Sequence, residues 1–491
     1  MLRLSYLPPL MVYAAYGVSG LTGIVGTFFV KDYLDLSAEF LAALAFWAGI
    51  PWAVKMPVGH VVDLLWRRKA LLVWLGAAMI AASLLVMIGL LTHTEAMRAV
   101  MSPGRWYVLS ALLAPTGYMI QDAVADAMTV EAVPRVDGAG KPYDEATRKE
   151  MHTTMQTLGR VALIGGLALV SAVNIWIFHG TEGLPPERKA ELYARVYEAA
   201  LAIPVMSVLG VALHHFLKHE RETVAETRPN RAVLGGSLVF VAATLAIGLG
   251  GAPYAEELIF ALSLAIILFL LWRLARELEP GARDALVATA IVLFLYRATP
   301  LTGEGANWWM IDVLRFDEGF LAQLQLVTYA LTLVGMFALR GFMAKHSIAT
   351  IVVVLSVAAT VLAAPMIGMF YGLHQWTAAH TGGWVDARTI ALINTALESP
   401  LGQIAMIPML AWIANSAPAN LKATYFAVMA SFSNLALAAS QLGTTYLNRF
   451  FLVERGRYGE LGELMIVSAA IGLLLPLVAV AGVRLLRMKV A

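Results

Sequence analysis

Along the chain, apolar residues gather into windows of about 20, the length that crosses a bilayer as a helix. They fall at 9–30, 37–58, 70–91, 106–130, 153–178 and 195–217, then at 232–250 and 256–275. Six more follow at 284–304, 319–342, 347–372, 387–413, 421–447 and 462–487. A charged connector, Lys218–Arg231, separates the first six from the next two. The pattern predicts an all-α polytopic membrane protein with fourteen transmembrane helices grouped six, two and six. The expected divisions are an N-terminal half over 1–217, a connector with two inserted helices over 218–283, and a C-terminal half over 284–491.

Polar residues inside these windows carry the candidate chemistry, because a charge at membrane depth costs several kcal/mol unless it faces water or a partner of opposite sign. The fourth window ends GYMIQDAVADAMTVEAVP, with Asp122 and Asp126 one helical turn apart on a shared face and Glu131 near its end. They either line a water-filled path or pair with cations. Arg160 in the fifth window and Arg297 in the run IVLFLYRATP are deep cations that Asp122 or Asp126 can neutralise. Lys55 in the second window either serves proton coupling or substrate binding or snorkels to the interface. Glu398 precedes Pro400 and Gly402, where a broken helix can expose backbone to a cavity. Trp308 and Trp309 read as an interfacial belt or as a stacking wall for a flat heterocycle. Tyr13, Gln121 and Asn434 are lining residues by type.

Composition narrows the class. The chain is 59% hydrophobic and only 14% charged, with a mean hydropathy of +0.73, far from a soluble domain. A net charge of +2 gives no electrostatic footprint for nucleic acid. With no cysteine, disulfides and thiolate metal sites are ruled out. His60 and His152 fall at the membrane surface, so no metal site is expected, and nothing points to a cofactor or to a hydrolytic constellation. Lys and Arg favour one side about two to one, which predicts cytoplasmic N- and C-termini. The N-terminus MLRLSYLPPL has no small-residue cleavage site and reads as uncleaved.

Beyond the second window comes Gly59-His-Val-Val-Asp63-Leu-Leu-Trp-Arg67-Arg68-Lys69. It resembles the major facilitator signature between helices 2 and 3, in which Gly59 would allow close helix approach and Asp63 would pair with Arg67 or Arg68 across a cytoplasmic gate. The two halves also echo each other: VEAVP leads to the helix of Arg160, and NSAP to the helix of Asn434. PWAVKMPVGHVVD (51–63), the acidic fourth window, FLYRATPLTGEGANWW with LRFDEGFL, and APANLKATYFAVMASFSNLA together resemble the folate-biopterin transporter family. Met56 stands where that family usually has Pro, and Lys422 where Glu is common.

The resemblance implies a major facilitator-like fold of two six-helix halves plus two extra helices, in a bacterial inner membrane. It implies a small-molecule substrate, an organic anion or a pteridine, moved with protons by alternating access. Muropeptide and acetyl-coenzyme A permeases share Gln121–Asp122, Glu398 and Ala423–Ala427, so those substrates stay open. So does a transporter-like assembly scaffold without flux. The sequence names no protein partner.

Overall fold

The computed structural model describes residues 4–34, 36–53, 55–65, 68–133, 141, 143–181, 183–217, 239–240, 242–244, 246–247, 253–276, 280–401, 422–486 and 488. Among these residues the chain is helical, and the nearest approach to a strand is one isolated bridge between Glu454 and Arg457. The helices are α1 (Leu7–Val18), α2 (Gly23–Tyr33), α3 (Ala38–Ala53), α4 (Lys55–Leu64), α5 (Ala70–Thr92), α6 (Thr94–Val100) and α7 (Pro103–Ala132). Then come α8 (Glu145–Ile177), α9 (Pro186–Ala200), α10 (Ala202–Leu217), α11 (Ala255–Ala275), α12 (Pro280–Arg297), α13 (Glu304–Asp312) and α14 (Glu318–Ala338). The last are α15 (Arg340–Lys345), α16 (Ile348–Phe370), α17 (Leu373–His380), α18 (Ala387–Glu398), α19 (Lys422–Phe450) and α20 (Leu461–Leu485).

Nine stretches among the described residues are long and apolar enough to cross a membrane, and each coincides with a window read from the sequence. The windows 232–250 and 387–413 lie largely or partly outside the described residues. Helix starts carry local signals. Asp144, Asp317, Ser347 and Asp386 accept a backbone N–H three residues on, and so cap α8, α14, α16 and α18. Asp386, outside the spans, is held below the usual carboxylate range chiefly by that hydrogen bond from Thr389.

In the second expected span, α3 carries Pro51 and α4 carries Pro57. Pro57 has no N–H to give the carbonyl of Ala53. The seventh window stops at Arg297, and residues 298–303 are non-helical before α13 begins behind Gly303 at φ +74°. Unwound backbone at membrane depth needs partners, and α19 and α20 supply them. Ser440 donates to the Thr299 carbonyl at 2.6 Å, Asn448 to Thr302 at 3.2 Å, and Ser468 to Pro300 at 2.8 Å. Thr444 accepts the Leu301 N–H at 2.9 Å.

The chain forms two compact units. The first holds residues up to Leu34, Lys55–Phe240 and Leu321–Leu326; the second holds Asp35–Val54, Val241–Phe320 and Val327–Ala491. In the first unit α5 and α7 lie against each other through Gly76 and Gly117. A Cβ on either would stand 2.6 Å from the other's carbonyl oxygen. One turn or two further along, Ser83 and Ser110 hydrogen-bond at 2.8 Å within the same buried seam. Small residues and serines substitute here for the hydrophobic drive that lipid removes. Gly17 of α1 meets Gly166 of α8 in the same manner.

Candidate functional site

In the first unit Asp122 and Asp126 both meet Lys55. This residue opens α4, and its ammonium donates to Asp126 Oδ2 at 2.6 Å and to Asp122 Oδ2. The i, i+4 spacing of the two aspartates on α7 sets both carboxylates on the face that α4 meets. Tyr13 of α1 donates to the other oxygen of Asp126, also at 2.6 Å. Its ring rests on α8 at Gly159, where a Cβ would stand 3.1 Å away. Arg160, next to that glycine, is within electrostatic range of both Asp122 and Tyr13. Tyr16, one turn along α1 from Tyr13, packs against Tyr118 with ring centroids 5.3 Å apart.

Two cations and two carboxylates make this cluster neutral overall. Its members are not equally reachable. The side chains of Lys55 and Asp122 are 22% and 16% exposed, while that of Asp126 is 50% exposed. Asp122 is thus the shielded half of the pair and Asp126 the more exposed half. Beneath them, Gln121 is not a lining residue. It is buried, and its amide donates to the Val73 carbonyl at 3.1 Å and to Ser207 at 2.9 Å, tying α7 to α5 and α10.

Lys55, not Arg160 or Arg297, is the cation that sits on the aspartates. Among the described residues Arg160 makes no ion pair within 4 Å. Arg297, in the second unit, donates to the Ser433 carbonyl at 3.3 Å. The tyrosine hydroxyl on Asp126 was also not foreseen, since residue type alone marked Tyr13 as lining. A Cβ at Gly59 would meet no described atom within 4 Å. Arg68 is exposed, while the side chain of Asp63, that of Glu131, and Arg67 lie outside the described residues.

In the second unit, Trp308 and Trp309 are 0% and 3% exposed, so they form no lipid-facing belt. The Arg455 guanidinium covers Trp308 at 5.2 Å, and Trp309 packs on Phe370 at 5.7 Å. Glu398 is exposed at the end of α18, where a 3-10 turn over Ser399–Leu401 takes over. Pro400 in that turn presses on Gly335, and Thr332 donates to the Ser399 carbonyl at 3.0 Å. Asn434 donates to the Trp52 carbonyl at 3.0 Å, steadying the end of α3.

Comparisons with known proteins bear on the fold and on relatives of the chain. Residues 257–485 match the model of the BT1 family. A folate-biopterin transporter from Synechocystis sp. is 23% identical over 475 residues, covering 95% of this chain and 79% of the relative. Among solved structures, a peptide transporter POT superposes with a TM-score of 0.64 at 17% identity, covering 99% of this chain and 95% of its own. The nucleoside transporter NupG does so with a TM-score of 0.57 at 12% identity, covering 98% and 99%. The chain therefore has the fold of these transporters, and its resemblance to a folate-biopterin transporter extends along nearly its whole length.

Proposed function

We propose that the protein is a secondary active transporter that moves an organic anion or a pteridine, folate- or biopterin-like, by alternating access coupled to protons. The observation that carries this reading is the neutral cluster of Lys55, Asp122, Asp126 and Arg160, with one carboxylate shielded and the other half exposed. A proton taken up at Asp126 loosens its hold on Lys55, which is then free to meet an anion. In a second use of the same groups, a pterin's amino and ring N–H pair donates to Asp126, while Lys55 or Arg160 holds a folate tail carboxylate. The name of the Synechocystis relative favours such substrates. In this reading fourteen helices span a bacterial inner membrane with both termini cytoplasmic, and Gly59, Asp63, Arg67 and Arg68 close the inner side. Arg297 and Glu398 are further candidates for proton coupling or substrate binding.

The test is a thermal-shift screen of the purified protein at two pH values against folates, biopterin, an anhydromuropeptide and acetyl-coenzyme A. Stabilisation by pterins, lost in Lys55→Met, supports the reading. Stabilisation by the sugar-peptide or the coenzyme alone keeps the fold and replaces the substrate. No shift with any of them favours a scaffold without flux.

A further inference from the structure

A cavity of about 260 Å³ lies wholly within the second unit, between the starts of α3 and α11 and the end of α19. Phe40, Ala43 and Leu442 contribute apolar surface to it, and Glu39, Glu256, Glu257 and Arg449 contribute charge. Glu39 sits in the first turn of α3, Glu256 and Glu257 in the first turn of α11, and Arg449 in the last turn of α19. The helix dipoles are complementary to charges of those signs at those ends. Three carboxylates against one guanidinium leave the described lining with two negative charges in excess.

The contacts within the cluster leave acceptors unused. Arg449 donates to Oε1 of Glu39 at 2.7 Å, and Trp47 Nε1 to Oε1 of Glu256 at 2.8 Å. The Tyr446 hydroxyl donates to Oε1 of Glu257. Oε2 of Glu257 is buried and has no hydrogen-bond partner among the described residues. A carboxylate oxygen shielded from water in this way calls for a cationic donor.

Spacing and charge set the chemical class of that donor. Among the described residues no three acidic or histidine side chains converge as metal ligands do, so the carboxylates stand apart around the cavity. A compact metal ion would meet at most two of them. An extended dication reaches more, with an ammonium at each end for the carboxylates and methylenes between them for Phe40, Ala43 and Leu442. We propose that this cavity binds a linear aliphatic diamine, held by Glu39, Glu256 and Glu257, and that the ligand fastens α3, α11 and α19 to one another. Arg449, paired with Glu39 and 5.4 Å from the ring centre of Tyr446, positions the Glu39 carboxylate. The site belongs to a different unit from the aspartate cluster and does not depend on the transport reading.

The test is isothermal titration calorimetry of putrescine, a four-carbon diamine, into the full-length protein in phosphatidylcholine nanodiscs, with n-butylamine and Mg²⁺ as comparison ligands. Putrescine is expected to bind saturably and at least tenfold tighter than either. Glu256→Gln and Glu257→Gln keep acceptors for Trp47 and Tyr446 and are each expected to weaken putrescine binding at least fivefold. Leu442→Trp fills the cavity while keeping every charge and is expected to abolish binding. Asp126→Asn is expected to leave it within twofold, which separates this site from the aspartate cluster. Helical content and monodispersity confirm that each variant folds, and Leu442→Trp carries the test if the glutamate variants do not. No saturable binding, equal affinity for butylamine or Mg²⁺, or undiminished putrescine binding in the folded variants overturns the site. Loss of binding in Asp126→Asn with retention in Leu442→Trp overturns it too. Putrescine binding in a protein that moves no folate or pterin upholds the site and removes the substrate reading instead.

Discussion

Lys55 and Asp126 lie 2.6 Å apart, nitrogen to oxygen, and the same ammonium also holds Asp122 one turn away on α7. One cation between two carboxylates, with Arg160 behind them, defines a site whose charge is balanced only while Lys55 stays in place. Losing any member changes both the stability of the first unit and what the site can bind.

Replacement of Lys55 by Met leaves Asp122 shielded and without its cation. Removing one partner of a buried ion pair costs about 3–5 kcal/mol. Lys55→Met is expected to lower the melting temperature of the purified protein and to cut uptake more than tenfold. Lys55→Met combined with Asp122→Asn should recover stability and not uptake. Melting curves of the single and double variants, set beside vesicle uptake, separate the two effects.

Tyr13 contributes a hydrogen bond to an ionised group, worth about 1.5–3 kcal/mol. Tyr13→Phe should therefore reduce uptake by roughly tenfold or more with little change in abundance. Gly159→Ala pushes on the same ring from α8 and should act in the same direction. Normal uptake in both variants would show that Asp126 does not need the hydroxyl.

The α5–α7 seam makes a structural prediction. At Gly76 and Gly117 an added methyl meets backbone, which cannot give way as a side chain can. Each Ala substitution is expected to cost about 1–3 kcal/mol. Gly165→Ala, where a Cβ meets no described atom within 4 Å, is the control and should be neutral. Thermal unfolding followed by size-exclusion chromatography reads the difference.

Much of this was legible in the sequence, and the exceptions share a cause. Apolar windows located the spans because lipid demands about 20 apolar residues per crossing. The i, i+4 aspartates announced a shared face. What averaging over a window conceals is a break inside it. Pro300 and Gly303 were visible, but whether the helix unwinds depends on whether distant side chains can take over its hydrogen bonds. Ser440, Thr444 and Asn448, spaced four apart on α19, are the sequence trace of that rescue. Lys55 as the partner of both aspartates depends likewise on how α4 meets α7, a tertiary fact that depth within a window cannot supply.

The loop after α19 carries a pH-dependent contact. Tyr458 donates to Asp312, and burial together with this hydrogen bond pushes its phenol up to about 12. Folding favours the neutral phenol, so its contribution is complete below the ordinary tyrosine value near 10 and is lost as pH rises toward about 12. Wild-type melting temperature should fall more steeply than that of Tyr458→Phe across that interval. Parallel curves would remove the contact from the stability account.

The central claim is that Asp126 couples proton movement to substrate movement. The most direct measurement is uptake of a labelled folate or pterin into proteoliposomes under an imposed inward proton gradient, for the wild type and for Asp126→Asn. The wild type is predicted to accumulate substrate above the outside concentration, and Asp126→Asn only to equilibrate it. Accumulation by Asp126→Asn to the wild-type level would contradict the account.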